Sequence, residues 1–171
     1  LFSVGTTSGQ VGDETVYENA SNYLITKRSA DDTLIWYDHI GAPKGADVFY
    51  SSTVANSLAL SSSHVFVAGT KNQGINGESL IGKQDGFISK YTLDGTLVWL
   101  KHVGGPIQSG DSMPDLNSYY MQGIAVSNDA LYVTGSSDNT LASDYIGSDY
   151  FLFKYDLDGT LLWEVHGPLA S

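Results

Sequence analysis

The chain has 171 residues, 42% of them hydrophobic, which is enough for a domain with a core and excludes a disordered chain. Only 8 lysines and arginines stand against 19 aspartates and glutamates, a formal charge of −11. This balance argues against a nucleic-acid partner, whose phosphates need a basic face, and is compatible with bound cations and with export. The absence of cysteine excludes disulfides and thiolate metal ligands, and no apolar run is long enough to span a membrane.

The first predicted unit, about residues 1–42, contains three β-strands. LFSVGTTSG at 1–9 is the first, a second strand leads to Lys27, and the third carries Trp36 and His39. Their β-branched and aromatic residues, bounded by turn residues, are typical of short strands. Asp31-Asp32 supplies residue types that tolerate the tight turn between the second and third strands.

The second predicted unit, about residues 54–105, has the same order and one additional strand. SLALS at 57–61 precedes HVFVAGTKN at 64–72 as an inner strand. Asp94-Gly95 separates the last two strands, and Asp-Gly predicts a hairpin because glycine adopts the positive φ that the turn needs.

The third predicted unit, about residues 121–168, repeats this order of four strands, with GIAVS at 123–127 as its inner strand and Asp158-Gly159 as its turn. The period is about 64 residues, and no segment has a helical period. We predict an all-β fold of three four-stranded antiparallel propeller-type blades, the first lacking its inner strand, within a larger or assembled β-propeller. The repeat anchors are Lys27, Lys90 and Lys154, Trp36, Trp99 and Trp163, His39, His102 and His166, and Gly5, Gly69 and Gly135.

One motif of these units, Asp-x-Phe-x-x-Lys followed by Asp-Gly-x-x-x-Trp and Gly, resembles the bacterial beta-propeller repeat family (SBBP repeats). The resemblance implies propeller architecture and a bacterial, secreted or cell-surface location. The first unit departs from the motif, with Asn22 for Asp, Leu24 for Phe and Asp32 for Gly. The matching residues of the other two units are Asp85, Phe87, Lys90, Asp94, Gly95, Trp99 and Gly104, then Asp149, Phe151, Lys154, Asp158, Gly159, Trp163 and Gly167.

The repeated anchors have structural and functional interpretations. The turn at Asp156, Asp158 and Gly159 is similar to a calcium loop, but Leu161 and Leu162 follow where further oxygen ligands would stand, which favours a hairpin. The histidines could form a triad, but outer strands of successive blades diverge, which favours bonds to a neighbouring blade or loop. The tryptophans are expected to pack between blades rather than to stack on carbohydrate, and the lysines to form hydrogen bonds between blades.

The loops at 8–21, 71–84, 105–120 and 136–148 are long, acidic and different in each unit. Variable loops on a repeated scaffold are common binding sites, and their oxygens suit calcium, although a solvated acidic surface has the same composition. Loop 105–120 also contains Tyr119 and Tyr120. The calcium candidates are Asp13, Glu14, Glu18, Glu78, Asp111, Asp115, Asp138 and Asp144.

No nucleophile motif, phosphate-binding glycine loop or zinc-protease motif occurs in the chain. We expect a non-catalytic structural, assembly or interaction module, with calcium as its one candidate cofactor. The alternative is a fragment of a substrate-binding or catalytic propeller, either quinone-dependent or carbohydrate-active. In a catalytic propeller the active residues line a central funnel, so charged or aromatic residues are needed at the starts of the inner strands. SLALS and GIAVS are small and apolar, which favours the scaffold.

The partner of the incomplete first unit is expected to be another polypeptide segment. Residue 1 lies inside a repeat, so we expect a piece of a longer protein, and the tail after Pro168 is too short to form a strand. The remaining blades of a longer parent chain are the favoured partner. A second copy is the alternative, giving six blades in a ring or a filament. The isolated chain is then expected to be sticky or assembled.

Overall fold

The fold was analysed in a computed structural model that describes residues 1–8, 21–41, 51–75, 78–104, 118–138 and 149–168. These residues form eleven antiparallel strands in three sheets, and none of them is helical. The prediction of an all-β chain is therefore confirmed. The strands are β1 (Phe2–Thr7), β2 (Asn22–Arg28), β3 (Leu34–Ile40), β4 (Thr53–Leu60), β5 (His64–Lys71), β6 (Asp85–Thr92), β7 (Leu97–Val103), β8 (Tyr119–Val126), β9 (Ala130–Ser137), β10 (Asp149–Asp156) and β11 (Leu161–Pro168).

Each sheet is a meander in which neighbours in sequence are neighbours in space. The first sheet has the order β1-β2-β3, the second β4-β5-β6-β7 and the third β8-β9-β10-β11. The first sheet thus has one strand fewer than the others, as predicted from the repeat. Within the described part of the chain, no helix could cross a membrane.

The predicted starts of both inner strands are wrong. β4 begins at Thr53 and β8 at Tyr119, each four residues before the predicted segment. Tyr119 and Tyr120 are accordingly strand residues and not loop residues. A β-bulge explains the error, because the register shifts at Asn56 in β4 and at Gln122 in β8 and interrupts the alternation of side chains.

The hairpin turns are confirmed at all three positions. Gly95 and Gly159 have φ of 98° and 82°, and Asp32 has φ of 67° in the first sheet. In each turn the residue at this position donates its N–H to a carbonyl three residues earlier, and the closing pair forms a second bond. The chain therefore uses the same left-handed turn three times, with aspartate once in place of glycine.

The three sheets pack face to face in sequence. β4 packs against β1 and β2, and β8 packs against β4, β5 and β6. The second sheet contributes to both cores: Val65 and Val67 pack toward the first sheet, while Phe66 and Ala68 pack toward the third.

Burial of the central strands shows which sheet faces are covered. Seven of the eight residues of β6 are buried, because its sheet lies between two others. In β10 of the third sheet, Phe151, Phe153 and Tyr155 are buried while Leu152 and Lys154 between them are only partly so. Within the described residues, the second sheet is therefore covered on both faces and the third on one.

Candidate functional site

The lysine anchors join one sheet to the hairpin turn of the next. Lys27 Nζ donates to the Leu93 carbonyl at 2.7 Å, and the Trp36 indole N–H donates to the same oxygen at 3.2 Å. At the next boundary, Lys90 Nζ donates to the Leu157 carbonyl at 2.9 Å. Each lysine stands opposite its tryptophan in the register of its own sheet. Trp36 shares the carbonyl with its lysine, whereas the buried Trp99 indole N–H has no hydrogen-bond partner among the described residues.

The third set of anchors has no such partner among the described residues. Lys154 lies over the Tyr132 ring, 5.4 Å from its centroid, and Trp163 meets the same ring edge-on. Trp163 is 40% exposed, and Leu161 and Val165 beside it are exposed too. Trp36 and Trp99, by contrast, pack into the two cores between sheets. The face of the third sheet that carries Lys154 and Trp163, its outer face, therefore corresponds to the face of the second sheet that packs against the third.

The glycine anchors lie where the backbone of an inner strand approaches closely. A Cβ added to Gly69 would lie 2.0 Å from the Val54 carbonyl oxygen, and one added to Gly135 would lie 2.0 Å from that of Tyr120. At Gly5 a Cβ would meet no described atom within 4 Å. The glycine is thus present in the first sheet without the inner strand that makes it necessary in the other two.

The three histidines occupy equivalent positions in different sheets, on β3, β7 and β11. His102 is buried, and its Nε2 lies 3.3 Å from the Glu78 carboxylate of a loop in its own unit. Burial lowers the pKa of His102, and Lys71 lowers it further. His166 Nε2 lies 3.8 Å from Glu164 on its own strand. The structure does not bring the histidines together, and His39 is partly buried in the first sheet.

A buried ion pair near His102 was not among the predicted site features. Lys71 Nζ lies 3.3 Å from Asp85 Oδ2, and both side chains are fully buried. The Asp85 carboxylate also accepts the backbone N–H groups of Ile81 and Gly82 at 2.8 and 2.9 Å. Burial lowers the pKa of Lys71, and the facing Asp85 opposes that shift. These bonds hold the loop before β6 in place. Lys71 occurs only in the second unit, so the repeat did not indicate a role for it.

A second missed feature is a chain of hydroxyl groups between the first and second sheets. Tyr91 OH donates to Asp38 Oδ2 at 2.9 Å, so Tyr23 OH donates to the Tyr91 oxygen. Burial raises the pKa of both tyrosines. The two rings remain neutral hydrogen-bonding groups that join the sheets.

The carboxylates of the turn aspartates form hydrogen bonds within their own hairpins. Asp156 Oδ1 accepts the N–H groups of Asp158 and Thr160 at 3.0 and 2.8 Å, and these bonds lower the pKa of Asp156. The Thr92 hydroxyl donates to Asp94 and in the same way lowers the pKa of that carboxyl. Hydrogen bonding within the turn accounts for these aspartates without a metal.

Two of the calcium candidates fall in the described part of the chain. Glu78 faces His102, and Asp138 accepts a bond from Tyr120 OH at 3.4 Å. Among the described residues no three histidine, aspartate or glutamate side chains meet as metal ligands. The other candidates, Asp13, Glu14, Glu18, Asp111, Asp115 and Asp144, lie outside the described residues.

A groove of about 280 Å³ lies between the starts of the two inner strands. Asn56 Nδ2 crosses there to the Met121 carbonyl at 2.6 Å, and the Met121 N–H donates to Thr70 at 3.2 Å. Amides and hydroxyls are present in the walls, but most of the exposed lining is apolar; the walls are formed by Ser52, Val54, Asn56, Thr70, Lys71, Asn72, Gln84, Tyr120, Met121 and Gln122. The inner strands therefore start with the mixed segments TVAN and YYMQ, which add polar and aromatic residues to the apolar starts expected from SLALS and GIAVS.

Comparison of the sequence with known protein families finds no family that matches it. A search of curated proteins likewise finds no similar sequence.

Proposed function

We propose that the three sheets are blades of a β-propeller and that the chain is a non-catalytic structural or assembly module. The face-to-face order of the sheets and the repeated lysine-to-carbonyl contact support blades that stack in one direction. The resemblance to secreted bacterial propeller repeats supports an extracellular or cell-surface location. The partners are the remaining blades of a longer parent chain or further copies of this chain.

Gly5 is the observation that carries this proposal. In the second and third sheets the equivalent glycine is required by an inner-strand carbonyl, whereas no described atom lies within 4 Å of a Cβ built at Gly5. The inner edge of β1, opposite β2, pairs with no strand among the described residues, so one more ladder would fit there. Strand addition at this edge would complete the first blade, and its affinity would come from main-chain hydrogen bonds.

A peptide of residues 52–61, which contains β4, tests strand addition. Labelled with a fluorophore and titrated with the 171-residue chain, it should bind saturably by anisotropy, and its Leu58→Pro derivative should not, because proline cannot donate to the ladder. Gly5→Val should weaken binding by at least about tenfold, because its side chain would meet the incoming backbone. Thr6→Val is the matched control on the same strand and should bind like the wild type.

Two results would overturn strand addition. One is the absence of peptide binding by a folded wild-type chain. The other is equal binding by the wild type and Gly5→Val.

Calcium belongs to this proposal as a stabiliser of the loops. Carboxylates and carbonyl oxygens are its usual ligands, and the acidic loops follow strands that end at the same edge of the array as the groove. Asp138, directly after β9, is a described candidate in one of these loops.

A substrate-binding propeller is the second candidate function, and the groove favours it. Its amides and the Tyr120 hydroxyl offer donors and acceptors suited to a neutral polyhydroxylated ligand. Calorimetric titration with maltose, cellobiose and chitobiose tests this idea. Binding of one of them that is lost in Gln122→Ala, with Gln73→Ala as control, would support it; no heat with any sugar would count against it.

A further inference from the structure

The two internal boundaries between sheets share one arrangement. A lysine of one sheet binds the carbonyl of the second residue of the next hairpin turn, Leu93 or Leu157. At the second boundary the lysine also faces the acidic residue that follows, since Lys90 Nζ lies 3.7 Å from Asp158 Oδ1. Each boundary thus contains a cation bound to a main-chain oxygen of the next turn.

A glycine in the turn lies directly against a side chain of the preceding sheet. A Cβ on Gly95 would approach the Trp36 ring to 2.8 Å, and one on Gly159 would approach Lys101 Cε to 2.5 Å and the Trp99 ring to 3.3 Å. The indole cannot move away as easily as the tip of a lysine, so a side chain at this position strains the boundary.

The outer face of the third sheet carries the same elements, and no described part of the chain packs on it. Lys154 and Trp163 correspond to Lys90 and Trp99, and Leu161 and Val165 extend the exposed apolar surface. We propose that this face binds the hairpin turn of another blade and selects turns with glycine at the left-handed position. This inference rests on the proposed propeller blades and identifies the partner as an Asp-Gly hairpin.

The first sheet of a second copy is a poor occupant of this face. Its turn has the left-handed conformation and an exposed Ala30 where Leu93 and Leu157 stand, but Asp32 replaces glycine. Docked in the same way, the Asp32 Cβ would press on Trp163. A head-to-tail ring of two identical copies is therefore disfavoured, and a further blade with an Asp-Gly turn is the expected partner.

The experiment uses two 171-residue partner chains that differ only at residue 32. Both carry Lys154→Met, which disables their own docking face, and one also carries Asp32→Gly. Fluorescently labelled wild-type chain serves as the host, and binding is measured by sedimentation velocity after circular dichroism confirms folding. We expect the Asp32→Gly partner to bind at least about tenfold more tightly than the partner with Asp32, because the clash is removed.

Host variants test the face itself. Lys154→Met in the host should abolish binding of the Asp32→Gly partner, and Lys83→Met, which removes another exposed lysine, should not. Equal affinity of the two partners, no binding of either, or binding that survives Lys154→Met in the host would each overturn the proposal. The peptide experiment at β1 does not involve this face, so loss of docking with intact peptide binding rejects this inference alone.

Discussion

Lys90 of the second sheet donates a hydrogen bond of 2.9 Å to the main-chain oxygen of Leu157 in the hairpin turn of the third sheet. The lysine is almost fully buried, lies over the Phe66 ring and approaches Asp158. Lys90 thus joins two sheets through a backbone carbonyl oxygen, and any residue at position 157 would keep this acceptor.

Lys90→Met should lower the free energy of unfolding by about 1–3 kcal/mol, because a charge-assisted bond is lost and a sheltered carbonyl loses its donor. Urea titration followed by tryptophan fluorescence measures the loss. Lys154→Met is the matched control and should change stability by no more than about 0.5 kcal/mol, since Lys154 has no such acceptor among the described residues. Equal losses in the two variants would contradict the role of the bound carbonyl.

Trp99 and Trp163 should differ in their contribution to stability. Trp99 packs into the core between the second and third sheets, so Trp99→Ala should cost about 3–5 kcal/mol. Trp163 is half-exposed beside Tyr132, and Trp163→Ala should cost clearly less. A loss below about 1 kcal/mol for Trp99→Ala in a denaturant titration would show that the residue is not an anchor.

His102 should make stability depend on pH near neutrality. Burial holds the pKa of His102 below its ordinary value, so on acidification the unfolded chain binds a proton before the folded chain does. The contribution of neutral His102 is therefore present above about pH 6.5, the ordinary histidine pKa, and is lost as the pH falls below it.

Urea titrations at several pH values on either side of the ordinary histidine pKa measure this effect. His102→Gln should flatten the profile, because glutamine does not titrate. His166→Gln controls for removal of a ring at the equivalent position of the third sheet. A larger flattening in His166→Gln than in His102→Gln would be incompatible with the explanation.

Calcium should bind the metal-free chain through loop carboxylates, because the chain offers many hard oxygen ligands and no thiolates. Calorimetry should show saturable calcium binding that weakens when Asp13, Glu14 and Glu18 are replaced by Asn, Gln and Gln. Saturable zinc binding that disappears when His39, His102 and His166 are all replaced by alanine would contradict this assignment.

The strands and turns could be predicted from the repeat, because Lys, Trp and Asp-Gly recur at equivalent positions of the units. The starts of β4 and β8 were mispredicted because the bulges at Asn56 and Gln122 break the alternation, so the apolar pattern becomes regular only after them. Whether another sheet packs on a given sheet face also depends on the neighbouring units. The sequence of a single repeat does not encode this.

The chemistry of the candidate site was less predictable than the fold. The acceptors of Lys27 and Lys90 are backbone carbonyls, which every residue has, so no residue type signals them. Lys71 pairs with Asp85 only after the second sheet has formed, and Tyr23 meets Tyr91 only after two sheets have packed. These contacts arise from tertiary structure and leave no periodic signal.

Hydrogen exchange at the amides of β1, with and without the peptide of residues 52–61, tests the central claim most directly. We predict that the β1 amides that are not bonded to β2 exchange at least about tenfold more slowly with the peptide. Amides of β5 and β9, which already pair with inner strands, should not change, and β1 of Gly5→Val should gain no protection. Unchanged exchange along β1 of the wild type at saturating peptide would contradict the completion of this sheet by an added strand.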